Sequence, residues 1–245
     1  MWRGIVRVIR VSQRISIIIP CLNEGAVIGP LLENLQTFRS RGHELILVDG
    51  GSQDDTLARA KPWVDQLIES EKGRARQMNA GAAGATGEIL WFVHADTQLP
   101  SGSDESIVTG LTKSGRGWGR FDVSLSGNPV LLKVVAFMIN WRSRLTGIAT
   151  GDQGIFLYTT LFRQVGGFPE IALMEDVALS KRLKAVSRPV SLHARLLTSS
   201  RRWEQRGIIR TILLMWRLRL AYALGADPQT LATRYRECSS PAPNS

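Results

Sequence analysis

Cysteine is nearly absent: of 245 residues only Cys21 and Cys238 are cysteines, far apart in the chain. That excludes a disulfide framework and a four-ligand zinc site, and a reduced, cytosolic setting is expected. Long apolar runs are missing too. No window of about 18 residues is free of charge, so no spanning helix is expected. The nearest approaches are 127–141, broken by Lys133, and 207–225, broken by Arg210, Arg217 and Arg219. The opening MWRGIVRVIRVSQR does not read as a signal peptide, because Arg3, Arg7, Arg10 and Arg14 interrupt each apolar stretch. Lysine is scarce, with 6 residues against 25 arginines. Arginine that dominant suggests forked contacts to phosphate or carboxylate groups more than a general need for solubility.

What is present is 44% hydrophobic and 21% charged residues, enough for a buried core and too well mixed for disorder. One large domain, with or without an appendage, is expected. The formal charge of +10 is local: from Lys181 to Arg219 there are eleven basic residues and one acid, Glu204. The remainder is close to neutral.

Ile15 to Ile19 and Glu44 to Val48 are apolar, β-branched runs that read as buried parallel strands, and Glu88 to Val93 reads as another. Helical spacing lies between them, at Ala26 to Phe38, over DDTLARAKPWVDQL and at Ala75 to Ala85, with a short strand near Leu67 to Glu69. Such alternation predicts a doubly wound, mostly parallel α/β sheet flanked by helices. Ligands of such sheets sit at the carboxyl ends of the strands, so three polar loops, after Ile19, Val48 and Val93, are expected on one edge. In the second half, Gly115 to Gly119 reads as a turn. Helices are expected at Pro129 to Trp141, Glu175 to Ala185 and Gly207 to Leu224, with a loop at Thr150 to Gly154 before Ile155 to Tyr158.

Those loops carry the chemistry. Pro20, Asn23 and Glu24 follow the first strand, Asp49, Gly50, Gly51, Ser52 and Asp54 the second, and His94, Ala95 and Asp96 the later one. Carboxylates and glycine backbone there suit a nucleotide and a divalent cation. In this order ISIIIPCLNE, ELILVDGGSQDDT, GRARQMNAGAAGATGEILWFVHADT, GDQGIF, GGFPEIALMEDVALSKRLK and SSRRWEQRG resemble the family 2 glycosyltransferases of GT-A fold. The HADT and GDQ versions look like a bacterial subgroup that includes radical-SAM/selenodomain-associated transferases and carotenoid (diaponeurosporenoate) glucosyltransferases.

The resemblance implies a nucleotide-sugar donor, a UDP-sugar, transferred with inversion to a lipid-like or membrane-adjacent acceptor. The chain is expected to divide into a basic N-terminal extension over 1–13, the transferase domain over 14–206, a C-terminal amphipathic helical region over 207–236 and a tail over 237–245 whose prolines and serines mark it as disordered. Asp49 matches the aspartate that reads the uracil ring; the alternative is an Asp that caps its own turn. Gly50 stands where the family has a second aspartate. Asp96 takes the last position of the family's metal motif and His94 replaces its first aspartate, so Mg²⁺ or Mn²⁺ is expected at Asp96. His94 either ligates it, hydrogen-bonds the diphosphate or is structural. Asp176, beside Glu175, falls on the catalytic base, which takes the acceptor's proton in an in-line displacement; capping the helix is the other reading. Arg74 and Asn79 fall in the segment lining the nucleotide pocket, with solvated surface as the alternative for the arginine. Asp152 and Gln153 belong to a loop shaping the sugar and acceptor site. Arg202 and Trp203 match part of a diphosphate and acceptor signature, although Ser199 replaces its glutamine.

A Rossmann enzyme is excluded because GAAGATG at 81–87 has the wrong spacing and precedes its strand. Nucleic-acid binding lacks a signature, since the basic window is interleaved with long aliphatic side chains. A non-catalytic nucleotide-sugar-binding relative is the remaining alternative. Leu213, Leu214, Trp216, Leu218 and Leu220 among Arg210, Arg217 and Arg219 suit peripheral contact with an anionic membrane at its inner face, or a helix packed on the domain with arginines at its rim.

Overall fold

A computed structural model describes residues 13–127 and 129–237, without the side chains of Arg202, Gln205 and Arg206. Arg3, Arg7, Arg10, Cys238 and nearly all of the expected extension and tail lie outside the described residues.

The first half follows the apolar runs. Strands β1 (Ile15–Cys21), β2 (Glu44–Asp49), β3 (Gln66–Glu69) and β4 (Ile89–Phe92) alternate with helices α1 (Ile28–Arg39), α2 (Thr56–Ala60) and α3 (Arg74–Gly84). Pro62 allows only one turn of 3₁₀ helix, Lys61–Trp63, after α2, so the helix expected there is short. The strands pair in parallel in the order β3-β2-β1-β4, with Ile17 opposite Leu45 and Trp91. Their two-residue period divides the core. Ile15, Ile17, Ile19, Leu45 and Leu47 pack with Leu31, Leu35 and Phe38 of α1. Ile18, Ile46 and Val48 pack on the other face with Ala75, Met78 and Ala82 of α3.

The second half holds β5 (Thr97–Gln98), α4 (Ser103–Ser114), β6 (Trp118–Leu125), α5 (Val130–Thr146), β7 (Phe156–Tyr158), α6 (Thr159–Gln164), α7 (Glu175–Val186), β8 (Val190–Thr198), α8 (Arg201–Arg206), α9 (Ile208–Ala223) and α10 (Pro228–Glu237). It extends one continuous sheet of order β3-β2-β1-β4-β7-β6-β8-β5. β7 runs antiparallel to β4 and β6, β8 is parallel to β6, and β5 is antiparallel to β8. The sheet is therefore mixed beyond β4. The expected Gly115 to Gly119 turn holds for Gly115 to Gly117, with Gly115 left-handed at φ 64°, but β6 begins at Trp118; Gly119 is an interior strand position, where an added Cβ would lie 2.5 Å from the Phe156 ring and 2.6 Å from the Val190 carbonyl oxygen.

β6 carries a charged pair through the interior. Arg120 is fully buried, and its guanidinium bonds the Asp122 carboxylate and the carbonyls of Phe121 (3.2 Å) and Asn140 (3.3 Å). Arg144 of α5 reaches the other Asp122 oxygen at 2.7 Å. The Asn140 side chain pairs with both backbone groups of Val123 at 2.9 Å. α5 is thus tied to the sheet by polar bonds on its inner face, while its outer face is apolar. Val130, Val134, Phe137, Trp141 and Leu145 recur every three or four residues and are exposed, Phe137 by 65%.

α9 is divided in the same way. Leu214, Met215, Leu218 and Tyr222 pack with Leu231 of α10 and with Met174 and Val177 at the start of α7. Leu218, expected on a membrane face, is 3% exposed. Ile209, Leu213, Trp216, Leu220 and Leu224 form the exposed stripe. α9 packs beside α5, and Phe137, Trp141 and Leu145 of one stripe line a common cleft with Trp216 of the other. Among the described residues no helix is long and apolar enough to cross a membrane.

Candidate active site

The carboxyl ends of β1, β2 and β4 lie on one sheet edge, and a cleft of about 1350 Å³ opens there. One end is lined by Pro20, Glu24, Lys72, Arg74 and Gln77; His94, Ala95, Asp96, Gly151, Asp152, Glu175 and Asp176 line its middle. The far end is formed by α5, α9 and α10, with Ser199, Arg201 and Trp203 also on the wall. The Arg202 side chain lies outside the described residues.

Several expected site residues build the loops behind this wall. Asp49 is buried, and its Oδ2 accepts the N–H groups of Gly51 and Ser52 at 2.8 Å while its Oδ1 takes the Ser52 hydroxyl. The turn-capping role is thus the one its geometry displays. Asn23, in the left-handed region at φ 54°, accepts the Gln53 N–H at 2.8 Å and donates its own N–H to Ser52 Oγ at 2.9 Å. These bonds join the first loop to the second. Asn79 exchanges two 2.9 Å bonds with the backbone of Phe168, fixing α3 to the chain before α7. Gln153 is fully buried and closes a capping box with Thr150. These residues shape the site without facing into it.

Gly50 has a physical explanation. A Cβ there would lie 3.0 Å from the Gln77 amide, which donates to the carbonyls of Cys21 (2.7 Å) and Val48 (3.0 Å). Gln77 fills the room that a second aspartate would need. No pattern in the sequence marks it, since it reads as an ordinary polar residue of α3.

The acidic pair is placed by backbone conformation. Met174 sits in the left-handed region at φ 69°, unusual for a side chain of its size, and α7 begins directly after it. Both acids therefore occupy the first turn, where the helix dipole favours negative charge. Asp176 Oδ2 accepts the Gly151 N–H at 2.8 Å and Oδ1 the Val177 N–H at 2.7 Å. A Cβ on Gly151 would come within 2.7 Å of His94 Nε2, so only glycine lets Asp176 and the imidazole share one backbone unit between them. Burial, reinforced by the Asp176 charge and opposed by Arg74, pushes the Glu175 carboxyl up to about 7. Glu175 therefore holds a proton more readily than an ordinary carboxyl, while the Asp176 side chain is fixed by two N–H donors.

His94 and Asp96 stand together in the cleft, but among the described residues no group of three or more His, Cys, Asp or Glu is arranged to hold a metal ion. A cation here would take at most two protein ligands and the rest from a bound diphosphate and water, which suits Mg²⁺ or Mn²⁺ carried in with a substrate. Arg76 is committed to Glu71 and, at 3.3 Å, to Glu170; Arg74 has no ion pair among the described residues and lies on the cleft.

Comparison with known proteins places this geometry. The model of glycosyl transferase family 2 matches residues 16–150. The chain is 29% identical over 162 residues to dodecaprenyl-phosphate galacturonate synthase of Rhizobium johnstonii, a match covering 60% of this chain and 47% of that protein. It is 40% identical over 91 residues to a PGL/p-HBAD biosynthesis glycosyltransferase of Mycobacterium bovis, covering 34% of this chain and 36% of the relative. The matches thus span about half or less of these relatives. Among solved structures, a mannosyltransferase of Pyrobaculum calidifontis in complex with GDP-Man and Mn²⁺ superposes with a TM-score of 0.66 at 20% identity, covering 94% of this chain and 70% of that one. S. aureus TarS in complex with UDP-GlcNAc gives 0.62 at 20% identity, over 77% and 59%. The likeness to these two structures is one of fold.

Proposed function

Since the chain belongs to glycosyl transferase family 2, whose model matches residues 16–150, we propose that it transfers a sugar from a nucleotide-sugar donor, a UDP-sugar, to a lipid-linked acceptor at a membrane surface. The observation that carries this reading is one continuous cleft. It begins at polar strand ends, passes Asp96 and Asp176, and finishes against the two helices with exposed apolar stripes.

The donor lies at the strand-end side, its diphosphate against Arg74. His94 and Asp96 would hold a divalent cation there, which would offset the charge gathering on the leaving nucleotide. The acceptor enters from the α5 and α9 side. Asp176 takes the acceptor's proton, its orientation fixed by the Gly151 and Val177 N–H groups. Attack from the face opposite the leaving group in one step inverts the anomeric centre.

The test is a panel of UDP- and GDP-sugars with Mg²⁺ or Mn²⁺ and a bacterial lipid extract, scored for nucleotide release and for thermal stabilisation. A donor at about 100 times its dissociation constant stabilises by roughly 2.7 kcal/mol, well within reach of a melting curve. Silence toward every donor would overturn the proposal. Stabilisation with no release under any condition would make this a non-catalytic binder.

The paired stripes support contact with an anionic bilayer. They flank exposed Lys133, Arg210 and Arg217, an arrangement suited to the boundary between acyl chains and acidic headgroups. Flotation with phosphatidylglycerol vesicles is expected to retain the protein at low salt and release it at high salt. Arg210→Glu combined with Arg217→Glu should weaken partitioning by about 10-fold or more. Equal recovery with and without vesicles would instead point to a protein partner for this face.

A further inference from the structure

At the acceptor end of the cleft several polar atoms are buried and idle. Arg142 of α5 has its Nε and Nη2, Arg219 of α9 its Nε and Asp152 its Oδ1 shielded from water, with no hydrogen-bond partner among the described residues. All three side chains line the cleft beside Asp176. No ion pair links either arginine to a carboxylate among the described residues, although Asp152 and Asp176 both act on the Arg142 charge. Burial, then the neighbouring Arg219 charge, pushes the Arg142 guanidinium down to about 10, while Asp152 and Asp176 oppose the shift. Two like charges placed together in a half-buried setting without donors satisfied are costly to the folded protein, and a bound anion removes that cost. The guanidinium fork is the side chain best matched to phosphate oxygens.

Position separates this pair from the donor's diphosphate. Arg74, on α3, serves the strand-end side, whereas Arg142 and Arg219 project from the two helices whose outer faces are the apolar stripes. We propose that Arg142 and Arg219 form an anion clamp for the acceptor, which is therefore a phosphate-bearing amphiphile whose chain leaves along α5 and α9 and whose hydroxyl faces Asp176. The inference rests on the transferase reading above and narrows its acceptor to an anionic class, excluding neutral lipids.

The test measures binding by calorimetry on the full chain, with decyl phosphate, the uncharged decyl glucoside, inorganic phosphate and UDP as separate probes below micelle concentration. Decyl phosphate should bind at least about 10-fold tighter than either decyl glucoside or inorganic phosphate, as charge-assisted bonds to two guanidinium groups imply. Arg142→Gln and Arg219→Gln should each erase that preference while UDP affinity stays within about twofold. Arg142→Lys, which keeps the charge, should retain part of it. Melting temperatures of the glutamine variants should equal or exceed the parent's, because an idle buried charge has been removed.

Equal binding of decyl phosphate and decyl glucoside would overturn the clamp. So would a 10-fold loss of UDP affinity in the variants, which would assign the pair to the donor, or inorganic phosphate binding as tightly as decyl phosphate. UDP binding in the parent protein separates the two levels: if it is present while the alkyl phosphate fails, the clamp falls and the transferase reading stands.

Discussion

Replacing Asp176 with asparagine is expected to lower the rate of sugar transfer by about 100- to 10,000-fold, the usual weight of a positioned general base. The acceptor hydroxyl would still reach the cleft, and the donor, bound at the opposite side, should keep its affinity within roughly twofold, so the loss falls on kcat. Asparagine is close in shape, and its oxygen can still accept one of the two N–H groups that Asp176 now holds, from Gly151 and Val177. Its amide nitrogen would then face the other, a cost of about 1 kcal/mol that a melting curve reports separately from the rate. The rival base is Glu175, whose carboxyl sits near 7 through burial and the charge beside it. If Asp176→Asn kept full activity while Glu175→Gln abolished it, the assignment would pass to Glu175. Initial rates across pH for the three proteins decide the matter.

The second large effect concerns stability. Asp122→Ala is expected to cost about 3–5 kcal/mol, because it leaves Arg120 buried without its counter-charge. Arg120 is 0% exposed, so it cannot turn to water. In a chain of this length such a loss lowers the melting temperature by roughly 2–4 °C per kcal/mol, around 10 °C in all. Replacing both partners, Arg120→Met with Asp122→Leu, should recover much of it, since an apolar pair of similar volume avoids the desolvation that the ion pair must offset. A single Asp122→Ala variant as stable as the parent would show that water reaches Arg120. The same substitution frees Arg144, so α5 should also exchange its amide hydrogens faster than the parallel strands do.

That pair also explains where sequence reading stopped. β1, β2 and β4 were legible because both faces of a parallel sheet must be apolar, and ISIIIPC, ELILVD and ILWF state this directly. β6, WGRFDVSL, hides the same burial behind an arginine and an aspartate that satisfy each other, and its glycine looks like a turn until Phe156 is seen against it. β8 reads as mixed, with half-exposed positions along most of its length, and α4 and α10, although amphipathic, carry few apolar residues to mark them.

The site divides similarly. Asp96, Glu175, Asp176, Asp152 and Trp203 were legible because they sit in motifs, and all line the cleft. Asp49, Asn79 and Gln153 sit in motifs as well, but their hydrogen bonds run to the scaffold. For another reason Arg142 and Gln77 went unread, and Arg219, expected with Arg210 and Arg217 on a membrane-facing or rim stripe, lines the cleft instead. Each lies mid-helix, and the face a helix turns to a cavity depends on how it is packed, which spacing alone does not reveal.

The bond from Gly151 to Asp176 has a consequence for how such a protein can diverge. On the proposed function, the donor wall comes mostly from residues before Gly151, the stretch that the family model covers up to residue 150, and most of the acceptor wall comes later in the chain, with α5 and Leu125 as earlier contributions. The Asn79 bonds to Phe168 tie the two stretches behind the cleft, and the Gly151 N–H joins them within it, beside His94. A lineage can therefore rewrite its later helices and recruit a new acceptor while inheriting its sugar-handling half unchanged, provided that glycine and that aspartate stay where they are.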